Sequence, residues 1–304
     1  MSIFNRGMVS IIIPSYGRSQ YLERAINSAL NQTYKNIEII VVNDNEAGSE
    51  GYNSFLSVAT EFKMHKNIIF FSDGVNKGGG EARNVGIQNS HGEYLTFLDD
   101  DDFYCEHKIE KQISYMLDKD LDVCLCNMFF LQGNKYKKVS NCMARGTTVS
   151  SFIMHGNAYT PMIMAKKDII IKVHGFEHTP RFQDHTLMIK LLGAGAKCEI
   201  LNEQLFTHNN HDGIRITYSD KLSKGYEIRW GMEERYLHLL SNNDLELYYV
   251  KKCAIKMKIN RGKKNYTAAV SDFMEMCSHI KSYRSLYIGI KSFIRVIIFP
   301  NKPV

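Results

Sequence analysis

The sequence lacks the features that mark a membrane-spanning or secreted protein. No apolar run among its 304 residues reaches the ~18 residues that a spanning helix needs. The residues before the first β-prone run, which begins at Val9, show no signal-peptide pattern. The seven cysteines are odd in number and scattered, which favours a reducing compartment over a disulfide framework. We therefore expect a cytoplasmic protein.

Two common nucleotide-binding motifs are also absent. No Gly-Lys-Ser/Thr triplet occurs, so the glycine-rich stretch at 72–80 is not a P-loop. The same stretch does not continue into a dinucleotide-binding fingerprint, because Arg83 occupies the place of the third glycine. Taken alone, its glycines are a weak signal.

Composition indicates one large globular domain, or a domain with an appendage, since 44% of the residues are hydrophobic and 23% are charged. The net charge of +6 is unevenly distributed. Residues 251–304 contain twelve Lys or Arg and two acids, a balance of +10, so residues 1–250 carry −4. An acidic body with a basic tail suggests that the tail contacts an anionic surface.

The first hundred residues follow a repeated β-α pattern. Strand-like runs at 9–13, 37–42 and 68–71 alternate with segments of helical spacing. This order predicts a mostly parallel sheet with right-handed crossovers. Polar loops that follow the strands should collect at one sheet edge, where nucleotides bind in such folds.

Four consecutive aspartates, Asp99–Asp102, follow the β-prone run Tyr94–Leu98. Adjacent carboxylates at the end of a core strand favour a bound cation, and hard oxygen ligands suit Mg²⁺ or Mn²⁺ with a phosphate completing the shell. The alternative is a solvated acidic turn that caps the following helix.

Four other segments are interpreted from their local pattern. Cys124 and Cys126 alternate within a strand pattern, so they share one face and fit a core better than a metal site. Asp184 falls in the first turn of a predicted helix, where a carboxylate also serves simply as a cap. Residues 198–201 read as an edge strand, and 207–213 read as a polar loop.

Four sequence blocks carry a family resemblance. They read V-S-I-I-I-P-S-Y-G-R, S-A-L-N-Q-T-Y-K-N-I-E-I-I-V-V-N-D, N-K-G-G-G-E-A-R-N-V-G-I and G-E-Y-L-T-F-L-D-D-D-D. In this order and spacing the chain resembles the family 2 inverting glycosyltransferases, especially bacterial enzymes that build surface polysaccharides such as O-antigen or capsule. The resemblance covers 8–118 and, more loosely, 160–217.

The resemblance implies a GT-A fold, which is a Rossmann-like α/β architecture with a mixed, mostly parallel sheet flanked by helices. The expected catalytic domain spans 1–217, with a nucleotide-binding half at 1–118 and an acceptor-side half at 119–217. A helical, basic region at 218–304 would follow.

The resemblance also implies roles for individual residues. Asp44 would accept a hydrogen bond from uracil, although an Asx-turn is the structural alternative. Asp101 would bind the metal, and the role of Asp102 stays open. The donor-binding residues would be Pro14, Ser15, Tyr16, Arg18, Asp44, Arg83, Asp99 and Asp100.

On the acceptor side, the resemblance makes Asp184 the general base, and Gln183 stands where the family usually has glutamate. His211, or else His208, would be the third protein ligand of the metal. A solvated loop histidine is the alternative for both.

The implied function is transfer of a hexose from a UDP-sugar to a hydroxyl of a lipid-linked saccharide, dependent on Mn²⁺ or Mg²⁺. The lipid would be undecaprenyl diphosphate, and no nucleic-acid partner is expected. A non-catalytic sugar-nucleotide binder is one alternative. A nucleotidyltransferase is another, which the turn P-S-Y-G-R disfavours because that class has a glycine-rich basic loop there. The sequence names neither the sugar, the linkage nor the oligomeric state.

The segment 285–299 mixes bulky apolar residues with Lys291 and Arg295. It is too short to cross a bilayer, and its composition suits a helix in the headgroup layer of the inner membrane face, drawn to anionic lipid. The alternative is a terminal helix packed on the catalytic domain.

Overall fold

The computed structural model describes residues 5–17, 19–210 and 220–298. The chain divides into two compact units, residues 1–213 and 214–304. In its described part, the first unit contains a nine-stranded sheet with helices, and the second contains helices. No described helix has the length and apolar character that crossing a bilayer requires.

Strands and helices alternate in the first half of the N-terminal unit, as predicted. The elements are β1 (Asn5–Ser15), α1 (Ser19–Leu30), β2 (Ile37–Asn43), α2 (Glu50–Glu61), β3 (Ile68–Ser72), α3 (Gly79–Gln88) and β4 (Gly92–Phe97). All seven residues of β2 are buried, as expected of a strand rich in β-branched residues whose two faces are both covered.

The second half of this unit is less regular. Its elements are β5 (Phe103–Tyr104), α4 (Lys108–Lys119), β6 (Val123–Gln132), β7 (Lys135–Lys137), α5 (Val149–His155), β8 (Ile163–Lys166), α6 (Lys167–Lys172), α7 (Gln183–Gly193) and β9 (Cys198–Asn210).

The strands form one mixed sheet in the order β3-β2-β1-β4-β8-β6-β9-β5, and β7 pairs with β6. Strands β1 to β4 pair in parallel, with Val9 opposite both Ile37 and Tyr94. Strand β8 joins β4 and β6 in antiparallel pairing, while β9 runs parallel to β6. The predicted mixed α/β sheet is confirmed, and the carboxyl ends of β1, β2 and β4 share one edge.

The prediction for β9 was wrong in length and position. The expected edge strand at 198–201 is the start of a 13-residue strand that lies between β6 and β5. Positions 207–210, which read as loop, belong to this strand. The polar residues at these positions led to the loop prediction, but Thr207 and Asn209 are buried within the strand.

Helix α3 approaches β1 unusually closely. A Cβ at Gly86 would lie 2.4 Å from Ile12 Cγ2, a distance that real Cβ atoms do not adopt. Glycine is therefore required at this position, and its absence of a side chain sets the depth of the helix that carries Arg83.

The cysteines of β6 belong to the core, as predicted. Cys124 and Cys126 are fully buried, and burial raises the pKa of their thiols to about 11 and about 12. Both thiols are consequently protonated at neutral pH. All seven cysteines are free.

The C-terminal unit contains α8 (Asp220–Glu233), α9 (Asn242–Gly262), α10 (Tyr266–Ser278) and α11 (Tyr283–Ile298). One of its buried clusters consists of Val250, Cys253, Ala254 and Met276. Phe273 and Phe293 pack against this cluster, with ring centroids 4.6 Å apart. This apolar seam holds α9, α10 and α11 together.

A buried carboxylate stabilises the central strands. Glu38 on β2 accepts hydrogen bonds from Ser10 Oγ at 2.6 Å, from Gly92 N at 3.1 Å and from the backbone N–H of His91. Burial raises the pKa of Glu38, but the bonds from Ser10 and His91 outweigh it and hold the pKa below its ordinary value. The carboxylate therefore joins β2 to β1 and to the start of β4.

Glu38→Gln is expected to lower the free energy of unfolding by about 1–3 kcal/mol at pH 7, because an amide accepts these bonds less well than a carboxylate. Since folding depresses this pKa, the contribution of Glu38 is present above its unfolded pKa and is lost as pH falls through the folded one. The difference between wild type and variant should therefore shrink in acid. Urea unfolding at neutral and acid pH measures both effects. The exposed Glu61→Gln serves as control, and a pH-independent difference would contradict this account.

Candidate active site

The four aspartates form a tight turn at the carboxyl end of β4. The backbone N–H of Asp102 donates to the carbonyl of Asp99 at 3.0 Å. We call residues Asp99–Asp102 the acidic turn. The side chains of Asp99, Asp100 and Asp102 bind three different parts of the fold, and the backbone of Asp101 binds a fourth. This divergence keeps adjacent negative charges apart.

Asp99 forms an ion pair with Arg83 of α3, which is only 7% exposed. The same guanidinium donates to Gln183 Oε1 at 2.7 Å and to the carbonyl of Gly79 at 3.0 Å. Arg83 thus connects α3 to the acidic turn and to the start of α7, while its bond to Gly79 lies within α3. The sequence did not predict this contact between Arg83 and the acidic turn.

The side chain of Gln183 accepts one hydrogen bond and donates another. Its Oε1 accepts from Arg83, while its Nε2 donates to the carbonyl of Thr179 at 3.2 Å. Phe182, immediately before it, adopts the left-handed region with φ 63°. A glutamate at this position could accept from Arg83 but could not donate to Thr179. The bond to Thr179 is therefore a local structural reason for glutamine here.

Asp184 lies in the first turn of α7 and is half-buried. Its Oδ1 accepts from the backbone N–H of His185 at 2.7 Å, a bond that fits the helix-cap interpretation. Burial raises the pKa of Tyr159, and the charges of Asp184 and Asp102 raise it further. The charges of Asp184 and Asp102 therefore both disfavour ionisation of the Tyr159 phenol.

The loop after β1 is held by the acidic turn. Asp100, nearly fully buried, accepts from the backbone N–H of Tyr16 at 3.0 Å. Asn45 Oδ1 accepts from Gly17 N at 2.8 Å. Asp100 is thus an anchor of this loop, a contact that the sequence did not reveal.

The other predicted donor-binding residues of β1 lie at its end. Pro14 and Ser15 are buried, and Arg18 is outside the described residues. Among the described residues, the buried atoms Ser15 Oγ and Arg83 Nε have no hydrogen-bond partner. Such orphaned polar atoms are costly unless a ligand or water satisfies them.

Asp44 anchors the glycine-rich stretch rather than a local turn. Its Oδ1 accepts from the backbone N–H groups of Lys77 at 2.7 Å and Gly78 at 3.0 Å. Burial raises its pKa, and these two bonds oppose that shift. Asp44 also lines a cavity of about 120 Å³ between β2, β3 and α3, together with Val75 and Lys77.

Asp102, whose role the sequence left open, fixes β9. It is fully buried and accepts from Asn209 N at 2.9 Å, and its two oxygens lie 3.1 and 3.2 Å from His208 Nδ1. Burial raises the pKa of Asp102 to about 6. Burial lowers the pKa of His208, but the bond to Asp102 prevails and raises it. The His208 ring also packs against Phe130 and Tyr159, at centroid distances of 5.6 and 5.5 Å.

The sequence predicts a metal at the acidic turn, with Asp101 as its ligand. Asp101 is buried, and its carbonyl accepts from Arg24 at 2.8 Å. In the described ranges, the turn contributes to no group of three ligand atoms within 4.8 Å of one another, and His211 lies outside those ranges. Mg²⁺-type sites commonly use one or two carboxylates plus phosphate oxygens. A metal at this turn would therefore need phosphate oxygens from a bound ligand in addition to the aspartate carboxylates.

The only described group of three potential ligands lies in the C-terminal unit and comprises Cys253, Glu275 and His279. Burial raises the pKa of Cys253 to about 11, so its thiol is protonated at neutral pH. Glu275 is 3.4 Å from Lys256 Nζ. These contacts account for the group without a metal.

Gln183→Glu is expected to lower the free energy of unfolding by about 1–2 kcal/mol, because the variant loses the bond to Thr179 and sets a carboxylate against its carbonyl. Urea unfolding measures the change. The matched control is Gln88→Glu on the exposed face of α3, expected to stay within about 0.5 kcal/mol of wild type. A Gln183→Glu variant as stable as wild type would contradict the assigned bond.

Comparison with known proteins now identifies this fold. Residues 10–176 match the family described as Glycosyl transferase family 2. An uncharacterized glycosyltransferase of Haemophilus influenzae is 30% identical over 214 residues, which is 70% of this chain and 80% of the relative. Glycosyltransferase GlyG of Streptococcus pneumoniae is 28% identical over 237 residues, covering 73% of this chain and 77% of the relative.

The structure of S. aureus TarS residues 1–349 in complex with UDP-GlcNAc superposes with a TM-score of 0.61 at 16% identity, covering 91% of each chain. This likeness confirms the GT-A type of fold. The enzyme class predicted from the four sequence blocks, a glycosyltransferase, is confirmed by the family match and the curated relatives. The chain belongs to glycosyl transferase family 2.

Proposed function

We propose that this glycosyltransferase uses a UDP-sugar and a divalent cation, and transfers a hexose with inversion to a hydroxyl of a lipid-linked saccharide. One observation carries the proposal. Arg83 binds Asp99 of the acidic turn and Gln183 beside Asp184, so the candidate donor and base residues belong to one connected network. The complex of TarS with UDP-GlcNAc supports a UDP-sugar donor for the shared fold.

The donor would occupy the edge formed by β1, β2 and the acidic turn. Asp44 would bind the uracil with the oxygen that does not hold the glycine-rich stretch. Ser15 Oγ and Arg83 Nε, which lack partners in the described structure, would satisfy polar groups of the nucleotide. Pro14, Tyr16 and Asp100 would shape the wall of this pocket, and Arg18 would lie near the diphosphate.

Asp101 would hold Mn²⁺ or Mg²⁺, with Asp99 toward the ribose and His211 or His208 as a further ligand. As a Lewis acid, such a cation stabilises the negative charge that develops on a departing diphosphate. For His208 only Nε2 could serve, because Nδ1 already faces Asp102.

Asp184 would act as the general base. Its carboxylate would take the proton of the acceptor hydroxyl as that oxygen forms a bond to the anomeric carbon. The bond from this carbon to the diphosphate oxygen breaks on the opposite face, and UDP leaves with its electron pair. Attack opposite the leaving group inverts the configuration, and the carbon passes through an oxocarbenium-like state.

The acceptor would be a saccharide on undecaprenyl diphosphate in surface-polysaccharide synthesis, used at the inner membrane face. The family resemblance and the basic C-terminal unit support this part of the proposal. Glucose, galactose and N-acetylhexosamine are all candidate sugars.

Asp184→Asn is expected to reduce turnover of the accepted UDP-sugar by about 10²- to 10⁴-fold, because the amide cannot accept the proton. The assay follows UDP release from UDP-glucose, UDP-galactose and UDP-N-acetylglucosamine with bacterial membranes as acceptor. UDP affinity should stay near that of wild type.

Asp168→Asn provides a matched control. Asp168 also lies in a helix first turn, where its Oδ1 accepts from the backbone N–H of Ile169 at 2.6 Å. This variant should retain full turnover. If Asp184→Asn behaves like Asp168→Asn, Asp184 is a helix cap and the proposed mechanism fails.

A further inference from the structure

Helix α11 uses one of its faces to join the C-terminal unit. Ser285 is fully buried, and Ile288 and Phe293 pack against the cluster that contains Val250 and Met276. This face alone satisfies the packing of the helix against α9 and α10.

The opposite face of α11 is also apolar, but it is exposed. Its residues recur at the i, i+3, i+4, i+7 spacing that places side chains in one stripe along a helix. They are 42–93% exposed, and we call them the outer stripe: Tyr283, Leu286, Tyr287, Ile290 and Ile294. A helix with a second apolar face has more apolar surface than its own unit covers.

Basic residues border the outer stripe along one side. Arg284, Lys291 and Arg295 are all exposed, and at 100° per residue they fall together next to the stripe. The helix contains no Asp or Glu. Aromatic, aliphatic and basic groups therefore share one surface that carries only positive charge.

This charge pattern selects among possible occupants. A second copy packed on the same stripe would bring two rows of basic residues together without an acidic counterpart in α11, which like-charge repulsion disfavours. An anionic bilayer surface offers both partners: acyl chains for the stripe and negative headgroups for the border. Tyrosines such as Tyr283 and Tyr287 favour the interface between these layers.

We propose that the outer stripe of α11 docks on an anionic lipid bilayer, with the helix lying in the plane of the headgroups. The inner face stays packed on α9 and α10, so docking requires no unfolding. The sequence interpretation as a helix in the headgroup layer concerns the outer face. The inner face packs on α9 and α10 of the C-terminal unit, which the alternative interpretation did not name. The inference rests on the proposed function only in giving docking a purpose, namely access to a lipid-linked acceptor.

The test is co-flotation of the full chain with phosphatidylcholine vesicles, with and without phosphatidylglycerol. Wild type should bind the anionic vesicles, and added salt should weaken this binding. Ile290→Glu should reduce the binding at least tenfold, since it puts a charge within the stripe. Lys291→Gln should reduce it roughly fivefold, the effect of one basic residue near such a surface.

The matched control is Leu117→Glu, which alters a leucine on α4 that is 65% exposed and lies outside the stripe. It should bind vesicles like wild type. Circular dichroism should show unchanged helix content in all variants, because the altered positions are exposed.

Three results would overturn the inference: no wild-type binding to anionic vesicles, equal binding by Ile290→Glu, or equal loss in Leu117→Glu. A wild-type dimer that Ile290→Glu dissociates, seen by light scattering without vesicle binding, would instead assign the stripe to a second copy. UDP binding by Ile290→Glu should be unchanged. If wild type does not bind UDP, the proposed function is refuted, but the vesicle result still stands.

Discussion

The ion pair between Arg83 and Asp99 is the interaction on which the arrangement of the candidate site depends. Arg83 reaches this position because Gly86 lets α3 approach β1 closely. Its guanidinium then binds Asp99, which is 16 residues away in the chain, and Gln183, which is 100 residues away. Removing the Arg83 guanidinium would leave the carboxylate of Asp99 without its counter-charge. It would also remove the link between α7 and the acidic turn after β4.

The acidic turn tolerates four adjacent carboxylates because they serve different neighbours. Asp99 binds α3, Asp100 binds the loop after β1, and Asp102 binds β9. Since Asp100, Asp101 and Asp102 are buried and Asp99 is paired with Arg83, the sequence hypothesis of a solvated cap does not describe the turn. Asp99, Asp100 and Asp102 organise the surroundings of Asp101, which we propose as the metal ligand.

Much of the parallel half of the fold could be predicted from sequence, because a run as rich in β-branched residues as Ile37–Val42 has few alternatives to a buried strand. The second half could not. Strand β9 is hidden by polar residues whose burial depends on Asp102, more than 100 positions away. The Gln183 amide donates a hydrogen bond to the backbone carbonyl of Thr179, and no sequence pattern indicates this bond. The predicted residues Arg18 and His211 lie outside the described ranges.

The most direct test of the central claim is titration calorimetry of UDP against wild type and Asp101→Asn, each with Mn²⁺ and with EDTA. If Asp101 holds a cation that binds the diphosphate, chelation and the substitution should each weaken UDP binding at least tenfold. Their effects should not add, because both remove the same interaction. Wild-type UDP binding that chelation leaves unchanged would contradict the metal role, and absence of UDP binding would contradict the proposed donor.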